Sequence, residues 1–138
     1  MNTSNLQKFV VLAEDDEEDV DIFKDALADL DLNVQLSVFN NGMLLMNYLE
    51  KSEILPDLVF LDLNMPLKNG LQCLKEIKNS DKFKTLNTII LSTSSNELQI
   101  EEMYNHGADL FLTKASTYKE FKNNLASCFD LSANPVTN

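Results

Sequence analysis

The chain has 138 residues, enough for one domain and little more. Acidic residues outnumber basic ones 22 to 11, giving a formal net charge of −11, with the lysines scattered or in short groups such as Lys82–Lys84. Nucleic acid binding needs Lys and Arg to neutralise phosphates, so no DNA or RNA partner is expected. No apolar run approaches the ~20 residues that span a bilayer, and Met1 to Lys8 lacks the apolar stretch of a signal peptide, so no membrane contact and a cytoplasmic location are expected. Cys73 and Cys128 lie in apolar helical patterns without metal-ligand spacing and read as reduced thiols; with a single histidine, His106, no zinc site is expected.

In chain order, short apolar runs alternate with longer amphipathic ones. Lys8 to Ala13 reads as a buried strand. From Asp16 to about Leu30, Val20, Phe23, Leu27 and Leu30 recur at helical spacing behind an acidic front turn, with Asp16 as N-cap or first-turn acid. Asn33 to Phe39 alternates like a strand near an edge, Asn40-Asn41-Gly42 turns, and Met43 to about Lys51 forms a second helix. Pro56 opens a strand, Asp57 to Leu61, that ends at Asp62. After the loop from Asn64 to Gly70, a third helix turns Leu71, Leu74 and Ile77 inward. Asn87 to Leu91 is a strand delivering Ser92, Asn96 caps a fourth helix that stops at His106 and Gly107, and Asp109 to Thr113 is a fifth strand ending at Lys114. The last helix, Thr117 to about Phe129, places Tyr118, Phe121, Leu125 and Phe129 on one face.

Five strands alternating with five helices imply a parallel sheet covered on both faces, and such sheets collect function at the carboxyl ends of their strands. Those ends carry Glu14, Asp15 and Asp16, then Asp62, then Ser92 and Thr93, then Lys114. If they converge, several carboxylates share a small volume and repel unless a cation joins them. Mg²⁺, a hard ion with oxygen ligands, suits such a place when phosphate is also handled there.

Ala13-Glu14-Asp15-Asp16, Leu61-Asp62-Leu63-Asn64-Met65-Pro66 with Gly70 following, Ile90-Leu91-Ser92-Thr93, Gly107-Ala108-Asp109 and Thr113-Lys114 stand in the order and spacing of response regulator receiver domains. From about Lys8 to Phe129 the chain resembles that family, and most of all its stand-alone members, including those paired with bacterial phytochromes. The resemblance implies a flavodoxin-like (βα)5 fold with a doubly wound parallel sheet of order 2-1-3-4-5. It places a flexible N-terminus at 1–7, the receiver domain at 8–130 and a flexible tail at 131–138. It assigns the phosphoacceptor to Asp62, the metal to Asp15, Glu14, Asp62 and the backbone carbonyl of Asn64, the switch hydroxyl to Ser92, the phosphate-pairing lysine to Lys114, and the switch aromatic to Phe111. Phosphoryl transfer needs in-line positioning and neutralised equatorial oxygens, and Mg²⁺, Lys114 and Ser92 are the right types for it.

Two positions depart from the family pattern. Ala115 stands where proline usually follows the lysine, so the usual cis peptide is not expected. Thr93 replaces a smaller residue beside the switch hydroxyl and narrows access there.

The implied function is a signalling switch rather than an enzyme. Its partners would be a sensor histidine kinase or phosphotransfer protein and a downstream protein, with a homodimer through the fourth helix, fifth strand and fifth helix as a further expectation. One alternative is an aspartyl-phosphate phosphatase, which would want a second acid at Asn64; another is a phosphorylation-independent adaptor.

Overall fold

Val10 and Leu12 face one core while Val11 and Ala13 face another, which is why the first strand reads as an unbroken apolar run. The computed structural model describes residues 6–94 and 96–130. In it β1 (Lys8–Ala13), β2 (Val34–Phe39), β3 (Leu58–Asp62), β4 (Asn87–Ser92) and β5 (Leu110–Thr113) form a parallel sheet in the order β2-β1-β3-β4-β5. The helices are α1 (Glu17–Asp29), α2 (Gly42–Lys51), α3 (Gly70–Lys78), α4 (Glu97–Asn105) and α5 (Tyr118–Cys128). This is the flavodoxin-like (βα)5 architecture expected from the sequence. The flexible ends expected at 1–7 and 131–138 fall mostly outside the described residues; Leu6 and Gln7 are exposed and precede β1.

The sheet separates two apolar layers. Val11, Val59, Leu61 and Ile90 pack with Leu45, Leu49, Leu74, Ile77 and Met103 from α2, α3 and α4. Leu12, Leu58, Phe60, Ile89 and Leu91 pack on the other face with Phe23, Leu27, Phe121 and Leu125 from α1 and α5. Phe60 is fully buried, with its ring 5.0 Å from that of Phe23 in an edge-on arrangement. Removing it to alanine would cost about 3–5 kcal/mol, because the centre of a sheet covered on both faces cannot collapse around the hole.

Local chemistry sets the helix starts. Asp16 takes extended backbone and accepts the N–H groups of Glu18 at 2.9 Å and Asp19 at 3.2 Å, so it is a helix cap. Asn41, Asn69, Asn96 and Thr117 cap the other helices in the same way, Asn69 with Gln72 as a capping box. At Gly70 a Cβ would lie 2.6 Å from the carbonyl oxygen of Asp62, so only glycine lets α3 start this close to the end of β3.

One inward position is corrected. Tyr118 is 40% exposed rather than on the buried face of α5, whereas Phe121, Leu125 and Phe129 are buried as expected. Its hydroxyl donates to the carboxylate of Asp29, joining α5 to the end of α1. Leu71 is half-buried against the α2 and α3 core, while Leu74 and Ile77 are fully buried. Both cysteines are buried free thiols, pushed up to about 12 by burial.

Candidate functional site

The register of the sheet brings the strand ends into one row. Asp62 pairs with Leu91 and Ser92 with Thr113, while the N–H of Leu63 donates to the carbonyl of Leu91 and that of Lys114 to the carbonyl of Ser92, at 2.9 and 2.7 Å. Each chain therefore leaves the sheet at the same level. Asp62, Ser92, Lys114 and the Glu14-Asp15 pair converge there from positions far apart in sequence.

Glu14 and Asp62 are buried, at 2% and 6% exposure, whereas Asp15 faces solvent. A carboxylate oxygen from each of the three lies within 4.8 Å of the others. Burial is the main reason that the Glu14 carboxyl is pushed up to about 8, helped by its hydrogen bond with Asp62 and that group's charge and opposed by Lys114. A buried acid that keeps its proton beside another acid marks a place short of positive charge. The residues fit a small divalent cation: three oxygen donors, one open to water, on a rim whose own cation does not balance them.

That cation is Lys114. Its ammonium stands 2.8 Å from Glu14 Oε1, 2.9 Å from Asp19 Oδ2 and 3.6 Å from Asp62 Oδ1. Burial alone would lower its pKa, but the bonds to Glu14 and Asp19 and the charge of Asp62 outweigh burial and hold it up. Asp19 was not among the residues expected at the site, because a first-turn acid on α1 reads as complementing the helix dipole.

Ser92 is buried at the end of β4, and its hydroxyl accepts the N–H of Ser94 at 3.0 Å. Thr93, beside it, is exposed. Asn64 is exposed, and its N–H reaches Asp62 Oδ1 at 3.3 Å. Phe111 is half-buried against the α2 and α3 core, and its N–H donates to the hydroxyl of Tyr104 at 3.0 Å. No described peptide bond is cis, as expected with Ala115 after the lysine.

The receiver domain pattern of response regulators matches residues 10–126, nearly the whole described span. The chain belongs to the response regulator receiver domain family. Response regulator Rcp1 from Synechocystis sp. is 30% identical over 122 residues, covering 85% of this chain and 83% of that one. The crystal structure of a phosphorylated cyanobacterial phytochrome response regulator, RcpA, superposes with a TM-score of 0.84 at 28% identity, over 96% of this chain and 98% of that one. The Mn²⁺-bound form of Rcp1 gives 0.81 at 27% identity, over 94% and 97%. Receiver domains of this kind are signalling proteins that bind Mg²⁺ and act with histidine kinases or phosphotransfer proteins. Among the described residues no helix is long and apolar enough to cross a membrane.

Proposed function

We propose that this receiver domain, residues 8–130, accepts a phosphoryl group on Asp62 and thereby switches a protein-binding surface. The observation that carries the reading is the meeting of Glu14, Asp15 and Asp62 oxygens within 4.8 Å, with the Lys114 ammonium on the same rim. The phosphorylated state of RcpA and the Mn²⁺ in Rcp1 support it by similarity.

In this reading Glu14, Asp15, Asp62 and the carbonyl of Asn64 hold Mg²⁺. When bound, the ion supplies positive charge to the phosphoryl oxygens. Asp62 attacks phosphorus in line, the bond from phosphorus to the donor's imidazole nitrogen breaks, and its electron pair leaves with the histidine. Lys114 pairs with the new phosphoryl group and Ser92 donates a hydrogen bond to it. The added charge, about −1.5 to −2 by analogy with phosphoserine, draws both inward. Phe111 follows Ser92, and the surface of α4, β5 and α5 changes. Leu98 and Tyr104 on α4 are 77% and 43% exposed, which suits a contact with a downstream protein or a second copy.

Incubation with acetyl phosphate, with and without Mg²⁺, followed by intact-mass measurement tests the proposal. Wild type should gain a single phosphoryl group only with metal, and Asp62→Ala none. Turnover of a small phosphoester beyond one equivalent would favour a phosphatase instead, although Asn64 stands where that enzyme's second acid belongs. No labelling under any condition would leave the phosphorylation-independent adaptor.

A further inference from the structure

Three carboxylates compete for one ammonium, and the two that win are not the phosphoacceptor. Lys114 Nζ lies 2.8 Å from Glu14 and 2.9 Å from Asp19, but 3.6 Å from Asp62, beyond hydrogen-bond length. Glu14 sits on the same rim as Asp62, so its bond keeps the lysine near the site. Asp19 is different: it projects from the first turn of α1 and lies outside the group of Glu14, Asp15 and Asp62. Its side chain is about one-third exposed, against 17% for Lys114, and its bond of 2.9 Å is shorter than the 3.6 Å separation from Asp62.

Open space borders the lysine on the side of Asp19. A cavity of about 220 Å³ lies between α1 and the loop from β5 to α5, with Asp19, Lys114 and the small Ala115 among its lining residues. The Lys114 backbone is fixed by its N–H bond to Ser92, so a change of partner falls on the four-carbon side chain alone. We propose that Asp19 is a positioning residue that holds Lys114 away from Asp62 in the resting state and so sets the free-energy cost of engaging the phosphoryl group. This rests on Asp62 being the phosphoacceptor. A contact made in one state and broken in the other biases the equilibrium by its own strength, and no more. A partly exposed ion pair of this kind shifts the balance by up to about fivefold.

The test uses beryllofluoride with Mg²⁺, a non-transferable mimic of the acyl phosphate, titrated into the full chain. Asp19→Asn should bind it about two- to fivefold more tightly than wild type. Asp19→Glu, which keeps the charge, should stay near wild type. In a Lys114→Ala background, Asp19→Asn should have no further effect. Thermal unfolding of each variant without ligand separates this from a structural role: lost stability with unchanged beryllofluoride affinity overturns the proposal. So does a weaker complex in Asp19→Asn, or an equal gain without Lys114. If wild type binds no beryllofluoride, the phosphoacceptor reading fails and this inference falls with it; if wild type binds and Asp19→Asn does not differ, only this inference falls.

Discussion

Two lysine-carboxylate clusters sit at opposite ends of the sheet, built from the same residue types. At the amino ends of β4 and β5, Lys78 donates to the carbonyls of Lys84 at 3.2 Å and Leu86 at 2.7 Å and to Asp109 Oδ2 at 3.1 Å. Asp109 also accepts the N–H of Thr88 at 2.8 Å. One cation meets one anion, and the remaining bonds go to neutral backbone. Gly107, at φ +102°, turns the chain beside this lysine, where a Cβ would lie 2.9 Å from Lys78 Cγ. At the carboxyl ends, Lys114 faces Glu14, Asp19 and Asp62, with Asp15 alongside. A balanced cluster ties strands to a helix; a cluster with surplus charge of one sign asks for a partner from outside.

The largest expected contrast comes from neutralising one acid in each cluster. Asp62→Asn should abolish phosphoryl uptake from acetyl phosphate, while Asp109→Asn leaves it intact, as read by mass. Stability should move the other way. Asp109→Asn loses charge-assisted bonds worth about 1–2 kcal/mol after allowance for its exposure, seen in urea unfolding. Asp62→Asn should not destabilise the metal-free chain, since it removes a buried charge from a rim rich in acids while the amide oxygen can still accept the proton that Glu14 keeps.

The next effect is a pH slope present only at the surplus end. With Glu14 raised from 4.5 to about 8, the folded chain holds a proton that the unfolded chain has lost within that window. Metal-free stability therefore falls as pH rises from 4.5 towards 8. Mg²⁺ must displace the same proton, so its affinity should rise by up to about tenfold per pH unit and level off above the raised value. Glu14→Gln should flatten both slopes, measured by urea unfolding and by calorimetric titration across the window.

Lys78→Met sharpens the contrast from the balanced side. It should lower the melting temperature by roughly 3–8 °C and leave phosphoryl uptake unchanged. Thr93→Ala should have the smallest effect: no change in melting temperature and an acyl-phosphate lifetime shortened by less than about tenfold. An unchanged lifetime would show that Thr93 does not narrow access to Ser92.

Much of the frame was legible because it follows from period and punctuation. Val59 and Phe60 alternate between two cores, so β3 reads as a continuous apolar run ending in Asp62. The strand ends then name Glu14, Asp15, Ser92 and Lys114 without further information. Asp19 was not legible, because its partner is 95 residues away and only packing of α1 beside the loop after β5 brings them together. Tyr118 stands at a core-facing period position, yet its ring stays partly exposed and its hydroxyl donates to Asp29, a partner 89 residues away that spacing does not reveal. Tyr104 closing the N–H of Phe111 escaped for the same reason: a side chain reaching a strand's backbone leaves no trace in spacing.

In the proposed function a divalent ion beside Asp62 completes the acidic rim. Calorimetric titration of Mg²⁺ into wild type and Asp15→Asn at neutral pH tests it most directly. Wild type should bind a single ion per chain, and the variant should bind it at least about tenfold more weakly. Equal binding by both, or none by wild type, would contradict it.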